Sequence, residues 1–371
     1  MCSKEKVTAV FKEAGITIGG ASAWDIVVHD DRFYNRIIAD GSLGLGESYM
    51  EGWWDCERID LCIEKLLRAD IRPPLSFNLI FLWLRAKLFN LQSLSGAREV
   101  IDAHYDLSNE LYMSFLDPYN QYTCGYFKDT EDLDIAQIQK MDLICKKLQL
   151  KTGDRVLDIG CGWGGFAKYA SETYGCHVTG LTLSKEQAKY AREFTKNLPV
   201  DIQIADYRLW LQKNIVYDKI VVVGMIEHVG YKNYRTFFEI VEKMLKKDGV
   251  FLLHTIGHNL TKTHGEAWSD KYIFPNGMCP SPVHIGKSAE GLFVIEDWHN
   301  FGAYYAKTLE AWNSNFETNW SKISHKYSNT FFRMFHYYFM SFAGGFRARE
   351  LNLWQIVFTK GDTPEVYKSV R

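Results

Sequence analysis

Acid–base residue types follow two neighbouring apolar stretches of the sequence. Glu227 and His228 come shortly after the stretch 219–223, and His254 lies near the end of the next one, 250–255. If both stretches are parallel strands, these side chains lie at neighbouring strand ends and can share a ligand. Because adjacent side chains point in divergent directions, Glu227 and His228 cannot both converge on it. Residue types and spacing alone leave metal binding and anion binding equally open.

A glycine-rich stretch supplies a second candidate site. Residues 156–165 read VLDIGCGWGG, an apolar run that ends at the closely spaced Gly160, Gly162 and Gly164. This pattern predicts a strand, a tight turn and the start of a helix, where glycine permits unusual backbone angles and lets a ligand lie against the main chain. The G-x-G-x-G spacing, with Asp158 before the first glycine, favours a nucleotide without a pyrophosphate over a dinucleotide. A turn that binds no ligand has the same pattern.

Strands and helices alternate along much of the chain. This order predicts an α/β fold, a doubly wound, seven-stranded, mainly parallel sheet with helices on both faces and ligands at the carboxyl ends of its strands. The loop 270–277, between the fifth and sixth strands, is placed to close over a substrate. The predicted strands span 155–159, 177–181, 200–204, 219–223, 250–255, 292–298 and 353–360, and the predicted helices span 133–150, 166–173, 185–197 and 234–245.

Polar residues at the ends of the second and third predicted strands are candidates for holding a nucleotide. The second strand has no acidic residue at its end, although a carboxylate there is the usual partner of ribose hydroxyls. Thr182 and Gln187 can replace it, since both form hydrogen bonds to hydroxyl groups. Ser184 equally well caps the next helix, with Gln187 as its capping-box partner. Asp206, after the third strand, is placed to accept from an adenine amino group or to lie in a solvated turn.

The N-terminal part of the sequence lacks the alternating order. We therefore predict a smaller N-terminal α/β domain at 1–95 and a larger domain at 96–371. In the smaller domain, the apolar patterns favour helices at 7–14 and 76–90 and a strand at 23–29.

Two stretches of the N-terminal domain each have two interpretations. Residues 41–54 are rich in glycine and aromatic residues, and either pack as the core of that domain or contact a ligand. Residues 75–91 mix Leu, Phe and Trp with Arg85 and Lys87, which is typical of a helix that lies on a membrane surface. A helix packed on the larger domain would have the same composition.

Composition excludes several classes of protein. The net charge of -2 and pI of 6.6 argue against nucleic-acid binding, which needs an excess of Lys and Arg. The eight cysteines form no C-x-x-C pair, so neither a zinc site nor a disulfide framework is indicated. No apolar signal segment follows Met1, and the apolar run 75–84 is too short to cross a bilayer, so we expect a cytoplasmic protein. The 15% aromatic content suits an apolar or cation-binding cavity, or simply a core.

Six separated motifs, in this order along the chain, resemble the cyclopropane-fatty-acyl-phospholipid synthase family. The likeness extends over nearly the whole sequence, including 41–54 and 345–349. The motifs span 121–127, 156–165, 224–230, 254–257, 271–277 and 297–303.

The resemblance implies a class I methyltransferase-like fold and transfer of a methylene unit from S-adenosylmethionine to the cis double bond of an unsaturated phospholipid acyl chain. A cyclopropane ring forms through a carbocation that bound bicarbonate deprotonates. The N-terminal domain would dock on the lipid at the inner face of the membrane, as a peripheral protein, and a homodimer is plausible. Alternatives are an acyl-chain methyltransferase that leaves a methyl or hydroxy branch, and a non-catalytic lipid-binding protein.

The same resemblance assigns residues to the two ligands. The bicarbonate ligands would be Cys124, Glu227, His254, the main chain of Ile256, and Tyr305, with no metal. Thr123 stands where the family commonly has Ser, so the hydroxyl is kept. Ala205 stands where a larger polar residue is expected, which weakens the assignment of the next residue, Asp206, to the adenine. S-adenosylmethionine would contact Tyr122, Thr123, Asp158, Gly160, Gly162, Gly164, Thr182, Gln187 and Asp206.

Overall fold

The computed structural model describes residues 2–69, 108–361 and 366–371. The predicted helix 76–90 and the apolar run 75–84 lie outside these residues. Within them, no helix combines the length and apolarity needed to cross a bilayer. In chain order the elements are α1 Ser3–Glu13, β1 Val27–Val28, α2 Arg32–Asp40, α3 Ser42–Met50, β2 Trp54–Asp55, α4 Ile59–Arg68, α5 Asn109–Met113, α6 Leu133–Lys147, β3 Arg155–Ile159, α7 Gly165–Tyr174, β4 His177–Thr182, α8 Lys185–Phe194, β5 Val200–Ile204, α9 Tyr207–Trp210, β6 Tyr217–Val223, α10 Tyr234–Met244, β7 Leu245–His258, α11 Ala267–Tyr272, α12 Pro282–Ala289, β8 Val294–Asn300, α13 Ala303–Ile323, α14 Asn329–Arg347 and β9 Leu351–Thr359, with short 3-10 turns at Leu211–Lys213, Ile226–His228 and Ser324–Lys326.

The chain forms two compact units that differ from the sequence-based division near residue 95. The first unit adds two later stretches, 263–277 and 305–351, to the N-terminal residues. The second unit takes the intervening stretches and the C-terminal residues from 352 onward. Each unit is therefore assembled from separate parts of the chain.

The second unit contains the seven-stranded sheet, in the order β5-β4-β3-β6-β7-β9-β8. Strand β3 pairs in parallel with both β4 and β6, β4 with β5, and β6 with β7, while β8 and β9 are antiparallel. The strand order reverses between β3 and β6, which is where open α/β sheets bind their ligands. The predicted doubly wound, mainly parallel sheet is confirmed.

The central strands are apolar on both faces because helices cover both. In β6, Ile220 and Val222 pack in one apolar cluster with Phe237 of α10. Val221, which points the opposite way, packs in a second cluster with Ile144 of α6. A strand buried in this way reads as a continuous apolar run in the sequence.

Several boundaries differ from the sequence-based prediction. Strand β7 extends well beyond 250–255 at both ends, whereas the predicted strand 23–29 is reduced to β1. The predicted loop 270–277 begins inside α11, which ends at Tyr272. In α6, Met141 is fully buried, whereas Ile138, three residues earlier, is 40% exposed. Polar residues of the same helix share the buried face with Met141, as described below.

The buried aromatic residues of 41–54 pack as core in the first unit. Trp54 is fully buried, with its ring centroid 5.1 Å from that of Tyr49 and 6.4 Å from that of Tyr337 on α14. The Arg333 guanidinium lies 3.9 Å from the centroid of the Tyr49 ring and donates to the Trp54 carbonyl. This favours the packing interpretation of the stretch.

An ion network joins three helices of the same unit. Asp60 of α4 is fully buried and accepts from the Arg58 guanidinium at 2.8 and 2.7 Å. Arg347, at the end of α14, bonds both Asp60 and Glu310 of α13. A buried carboxylate needs such partners, because an unpaired charge in the interior is costly. The network thus ties α4 to helices that come much later in the chain.

Candidate active site

The glycine-rich turn lies between β3 and α7, at the carboxyl end of the central strand. Gly160, Gly162 and Gly164 have φ values of 86°, 54° and 81°, in the left-handed region that favours glycine. The amides of Gly160 and Cys161 both donate to the Leu181 carbonyl at 2.9 Å, which fixes the turn to β4. A Cβ atom at Gly162 would meet nothing within 4 Å. The main chain there is open to a ligand.

Asp158 lies near the end of β3, directly before this turn, and its side chain is buried. Its carboxyl is buried, which raises its pKa to about 7 against the opposing effect of the nearby Lys140 charge. Among the described residues, nothing hydrogen-bonds its Oδ2 atom. A buried polar atom without a partner is a suitable contact for a polar ligand.

Thr182, Ser184 and Gln187 form one hydrogen-bonded group after β4. The Ser184 hydroxyl accepts from the Gln187 amide at 3.2 Å, so Ser184 caps α8 as predicted. The Gln187 side chain accepts from the Thr182 hydroxyl at 3.0 Å instead of closing a capping box. Gln187 is therefore fixed by Thr182, and Ser184 has a structural role.

The Ser184→Ala variant is expected to lose about 1 kcal/mol of stability, the usual value of an N-cap. Its affinity for S-adenosylmethionine, the cosubstrate that the resemblance implies, should stay unchanged, because its hydroxyl is occupied by the α8 amide. Urea unfolding and calorimetric titration measure the two quantities. A large loss of affinity at unchanged stability would instead give Ser184 a ligand-binding role.

Asp206 is held by its neighbour Arg208. It caps α9 and accepts from the Arg208 amide at 2.9 Å and from its guanidinium at 2.8 and 2.6 Å. Asp206 is only 6% exposed, so the solvated-turn interpretation is wrong. The adenine contact stays a prediction.

Helix α6 holds residues 121–124 at the carboxyl end of the sheet. The Lys140 ammonium donates to Gln121 Oε1 at 2.5 Å and to Thr123 Oγ1 at 2.9 Å. Gln137 donates to the Thr123 carbonyl at 2.8 Å. A Cβ atom at Gly224, just after β6, would lie 2.7 Å from the Thr123 methyl group. Thr123 is thus locked between α6 and the end of β6.

Tyr122 belongs to an aromatic group beside the glycine-rich turn. Its ring centroid lies 5.3 Å from that of Tyr112, which in turn lies 4.8 Å from that of Trp163 in the turn. The Trp163 indole donates to Asn109 at 2.9 Å. Tyr122 and the turn are therefore parts of one packed region.

Glu227 and Ile256 are in direct contact. Glu227 lies in the 3-10 turn after β6, and its Oε1 atom accepts from the Ile256 amide of β7 at 2.7 Å. Burial raises the pKa of Glu227 to about 7. Its Oε2 atom is buried and has no hydrogen-bond partner among the described residues. One carboxylate oxygen is anchored and the other is available.

His254 lies two residues before Ile256 on β7 and is fully buried. Burial lowers the pKa of His254 well below its usual value, and the charges of Lys140 and Lys147 lower it further. The imidazole is therefore neutral at pH 7. Its Nδ1 atom lies 3.3 Å from Nε2 of Gln355 on β9, while its Nε2 atom has no partner in the described part of the chain.

Cys124 and Tyr305 complete the predicted anion ligands. Cys124 is fully buried. The Lys140 ammonium interacts electrostatically with both Cys124 and His254. Tyr305 belongs to the first unit, where its ring stacks on Phe346 with centroids 4.4 Å apart. Across the described ranges, no three His, Cys, Asp or Glu side chains are arranged to hold a metal ion.

Three buried polar residues of this region were not predicted from the sequence. Gln137 and Lys140 lie on the face of α6 that also buries Met141, and the helical period itself was the signal, because a polar residue at a core position needs an explanation. Burial lowers the pKa of Lys140 to about 8. Gln355 has the same kind of signal, since it interrupts an apolar strand.

The strand order and the turn after β3 define the fold of a class I S-adenosylmethionine-dependent methyltransferase. The crystal structure of the mycolic acid cyclopropane synthase CmaA1 complexed with SAH and CTAB has this fold, with a TM-score of 0.65 and 32% identity over 71% of this chain and 98% of that one. The family model described as mycolic acid cyclopropane synthetase matches residues 92–356. The chain belongs to this family.

Two curated relatives are similar over most of their length. The cyclopropane-fatty-acyl-phospholipid synthase of Escherichia coli strain K12 is 50% identical over 354 residues, which are 95% of this chain and 92% of that protein. A probable fatty acid methyltransferase of Pseudomonas putida is 37% identical, over 71% of this chain and 69% of its own. The predicted family, fold class and enzyme class are confirmed: the protein is an S-adenosylmethionine-dependent methyltransferase of the cyclopropane synthase type.

Proposed function

We propose that the protein converts the cis double bond of an unsaturated phospholipid acyl chain into a cyclopropane ring, with bound bicarbonate as the base. The lipid substrate is the one in the name of the relative that is 50% identical. One observation carries the choice of base. Just after β6, and on β7 beside the end of β6, Glu227 Oε2 and His254 Nε2 are buried polar atoms without hydrogen-bond partners among the described residues.

These atoms suit a small oxyanion that also has a hydroxyl group. A carboxylate accepts hydrogen bonds and a neutral imidazole donates one, so Glu227 would bind the hydroxyl of bicarbonate and His254 its charged oxygens. The Lys140 ammonium adds a favourable positive potential. Cys124, the Ile256 main chain and Tyr305 are the remaining proposed ligands.

For S-adenosylmethionine, we propose the open main chain of the glycine-rich turn as the central contact. Gly160, Gly162 and Gly164 would lie under the cosubstrate, with Asp158 beneath them. The remaining contacts follow the strand ends of the same sheet: Tyr122 and Thr123 at the amino-acid part, Thr182 and Gln187 at the ribose, and Asp206 at the adenine.

The chemistry requires alignment, a base and a dry site. S-adenosylmethionine supplies an electrophilic methyl group, and an alkene is a weak nucleophile that must be held in line with it. Methyl transfer leaves a carbocation on the acyl chain, and loss of a proton from the new methyl group closes the ring. A bound base is worth about 10² to 10⁴ in rate. Water would trap the cation as an alcohol, and the burial of Cys124, Glu227 and His254 supports its exclusion.

Product analysis tests the reaction directly. The purified protein is incubated with unsaturated phospholipid vesicles and labelled S-adenosylmethionine, with bicarbonate removed and then restored. We expect acyl chains that are heavier by one CH2, with proton resonances of a cyclopropane ring, and a rate that depends on bicarbonate. Turnover that is insensitive to bicarbonate would exclude it as the base, and absence of the ring would exclude the reaction.

A second candidate is an acyl-chain methyltransferase, which the 37% identical relative favours. Its product would have a methyl or hydroxy branch. A hydroxylated chain is heavier than the cyclopropane by one water, and a branched chain lacks the ring resonances. The same experiment therefore separates the two reactions.

We also propose that the protein works from the cytoplasm at the inner face of the membrane, where the N-terminal domain predicted at 1–95 docks. The double bond of the substrate lies inside a hydrocarbon layer about 30 Å thick, so the enzyme must meet a bilayer. Vesicle flotation of the full-length protein tests this association, and recovery only in the lipid-free fraction would contradict it. A homodimer is proposed from the resemblance alone, and analytical ultracentrifugation tests it.

Turnover is expected to rise as the pH increases through about 7, the value to which burial raises the pKa of Glu227. Below that pH the carboxyl is protonated, and the proton occupies Oε2, the atom that would accept from the bicarbonate hydroxyl. Initial rates are measured at a fixed bicarbonate concentration, about one pH unit below and above this value. A profile without any rise would contradict an ionised Glu227 in the active form.

A further inference from the structure

We infer that Gln355 is a positioning residue that selects the tautomer of His254 in which Nε2 bears the proton, so that this N–H is aimed at the anion. The inference deepens the proposed function and rests on it for the identity of the anion. The tautomer itself is a property of the protein and can be observed without any ligand.

The contact behind this inference is buried and specific. Gln355 and His254 lie on β9 and β7, neighbouring strands of the sheet, and both side chains are 0% exposed. The Gln355 amide nitrogen lies 3.3 Å from Nδ1 of His254. An amide nitrogen can only donate, so Nδ1 must accept and is unprotonated.

The tautomer of His254 then follows from its charge. The pKa of His254 is lowered far enough by burial that the ring is neutral at pH 7 and carries a single proton. With Nδ1 occupied as an acceptor, that proton is on Nε2. The atom without a partner is therefore an N–H donor, in a region where a bound anion needs donors.

The reverse orientation of the Gln355 amide is disfavoured. Turning the amide would aim Oε1 at Nδ1 and would leave the N–H group that now points at Nδ1 without this acceptor. In the present orientation Nε2 contacts the imidazole, and Oε1 has no partner among the described residues. The present orientation is favoured because a buried carbonyl oxygen without a partner is found more often in proteins than a buried N–H group without one.

The resulting pair of groups is complementary to one ligand. His254 presents a donor, and two residues further along β7 the Ile256 amide anchors Glu227, which presents an acceptor. Bicarbonate has both an anionic oxygen and a hydroxyl, so it satisfies both groups at once. With the other tautomer, His254 and Glu227 would both be acceptors and would repel the anion.

The tautomer is measured by ¹⁵N NMR of protein labelled in its histidines, with the His254 signals assigned by comparison with His254→Gln. In the wild type we expect a protonated Nε2 and an unprotonated Nδ1. In Gln355→Glu the new carboxylate can only accept, so Nδ1 should become protonated. Gln355→Met removes the donor, and signals of the other tautomer should appear.

Gln137→Met is the matched control. Gln137 is also fully buried, also donates through its amide, here to the Thr123 carbonyl, and also has an Oε1 atom without a partner in the described part of the chain. The same substitution therefore removes the same groups at a site that does not contact His254. It should leave the nitrogen signals of His254 unchanged.

Kinetics supply the second readout. Loss of the hydrogen-bond partner of a metal-bound histidine typically costs about 10- to 100-fold. We expect an effect of about this size for the anion, so the bicarbonate concentration for half-maximal turnover should rise by about that factor in Gln355→Glu. The half-saturating concentration of S-adenosylmethionine should not change. A role in packing alone would lower stability without this separation.

The outcomes separate this inference from the function it rests on. A protonated Nδ1 in the wild type, or wild-type nitrogen signals in both Gln355 variants, overturns the inference whatever bicarbonate does. The expected signals together with turnover that ignores bicarbonate overturn the proposed base and leave the tautomer assignment supported. If Gln355→Glu does not fold, Gln355→Met decides.

Discussion

Glu227→Gln is expected to lower turnover by about 10²- to 10⁴-fold, the usual contribution of a positioned base. The amide keeps the size of the side chain, and its oxygen can still accept from the Ile256 amide that now anchors Oε1. The other position becomes an NH2 group, which cannot accept from the hydroxyl of bicarbonate. The base is then misoriented or lost, while the glycine-rich turn is untouched. Steady-state rates on phospholipid vesicles and calorimetric titration with S-adenosylmethionine measure both properties.

Asp158→Asn is the matched control for this variant. Asp158 and Glu227 are both buried carboxyls, burial raises both pKa values to about 7, and each has one oxygen without a partner among the described residues. Because Asp158 precedes the glycine-rich turn, its variant should weaken S-adenosylmethionine binding by about 10- to 100-fold, the value of a hydrogen bond to a charged group. Wild-type turnover in Glu227→Gln would remove Glu227 from the mechanism. The same pattern of effects in both variants would contradict their separate roles.

Gly165→Ala is expected to destabilise the second unit by about 3 kcal/mol, at the upper end of overpacking effects. A Cβ atom at this position would overlap the carbonyl oxygen of Tyr119 and the side-chain amide of Gln121. The carbonyl is part of the backbone and cannot move aside by changing rotamer. Asp117, which accepts from the amides of both residues at 2.8 Å, also restrains this segment. Urea unfolding, followed by tryptophan fluorescence, measures the loss.

Gly162→Ala is the control in the same turn. A Cβ atom there meets nothing within 4 Å, so only its left-handed φ of 54° is unfavourable for alanine, at about 1 to 2 kcal/mol. We expect a folded protein that binds S-adenosylmethionine more weakly, because the methyl group enters the space proposed for the cosubstrate. Equal loss of stability in both variants would show that overlap with Tyr119 is not the cause.

Local chemical requirements explain why parts of the fold and site could be predicted from the sequence. The turn at Gly160 needs glycine for its backbone angles, and β6 must be apolar because helices cover both faces. The rule that parallel strands end at one edge of the sheet placed Glu227 and His254 near each other, and the structure adds the contact of Glu227 with Ile256, two residues beyond His254. The family resemblance added the remaining assignments, including Cys124 and Tyr305, which no spacing rule would have singled out.

Long-range pairing explains what could not be predicted. Gln355 and His254 are 101 positions apart, and their contact depends on β9 lying beside β7, an order that the alternating pattern does not specify. The helical period places Lys140 at a core position, but it does not identify its partners Gln121 and Thr123, which come from an earlier segment of the chain. The extent of the first unit was missed for the same reason, because α14 packs on a helix formed far earlier in the chain.

The ion network of the first unit limits the order in which a growing polypeptide can fold. Asp60 is synthesised early. Its partner Arg347 on α14, which also bonds Glu310 on α13, is synthesised 287 residues later. The sheet also cannot be completed early. Strand β9 lies between β7 and β8 and is the last of the seven strands of this sheet to be synthesised. Neither unit can therefore be completed before α14 and β9 have been synthesised, and until then the nascent chain exposes the apolar surface that these elements later cover.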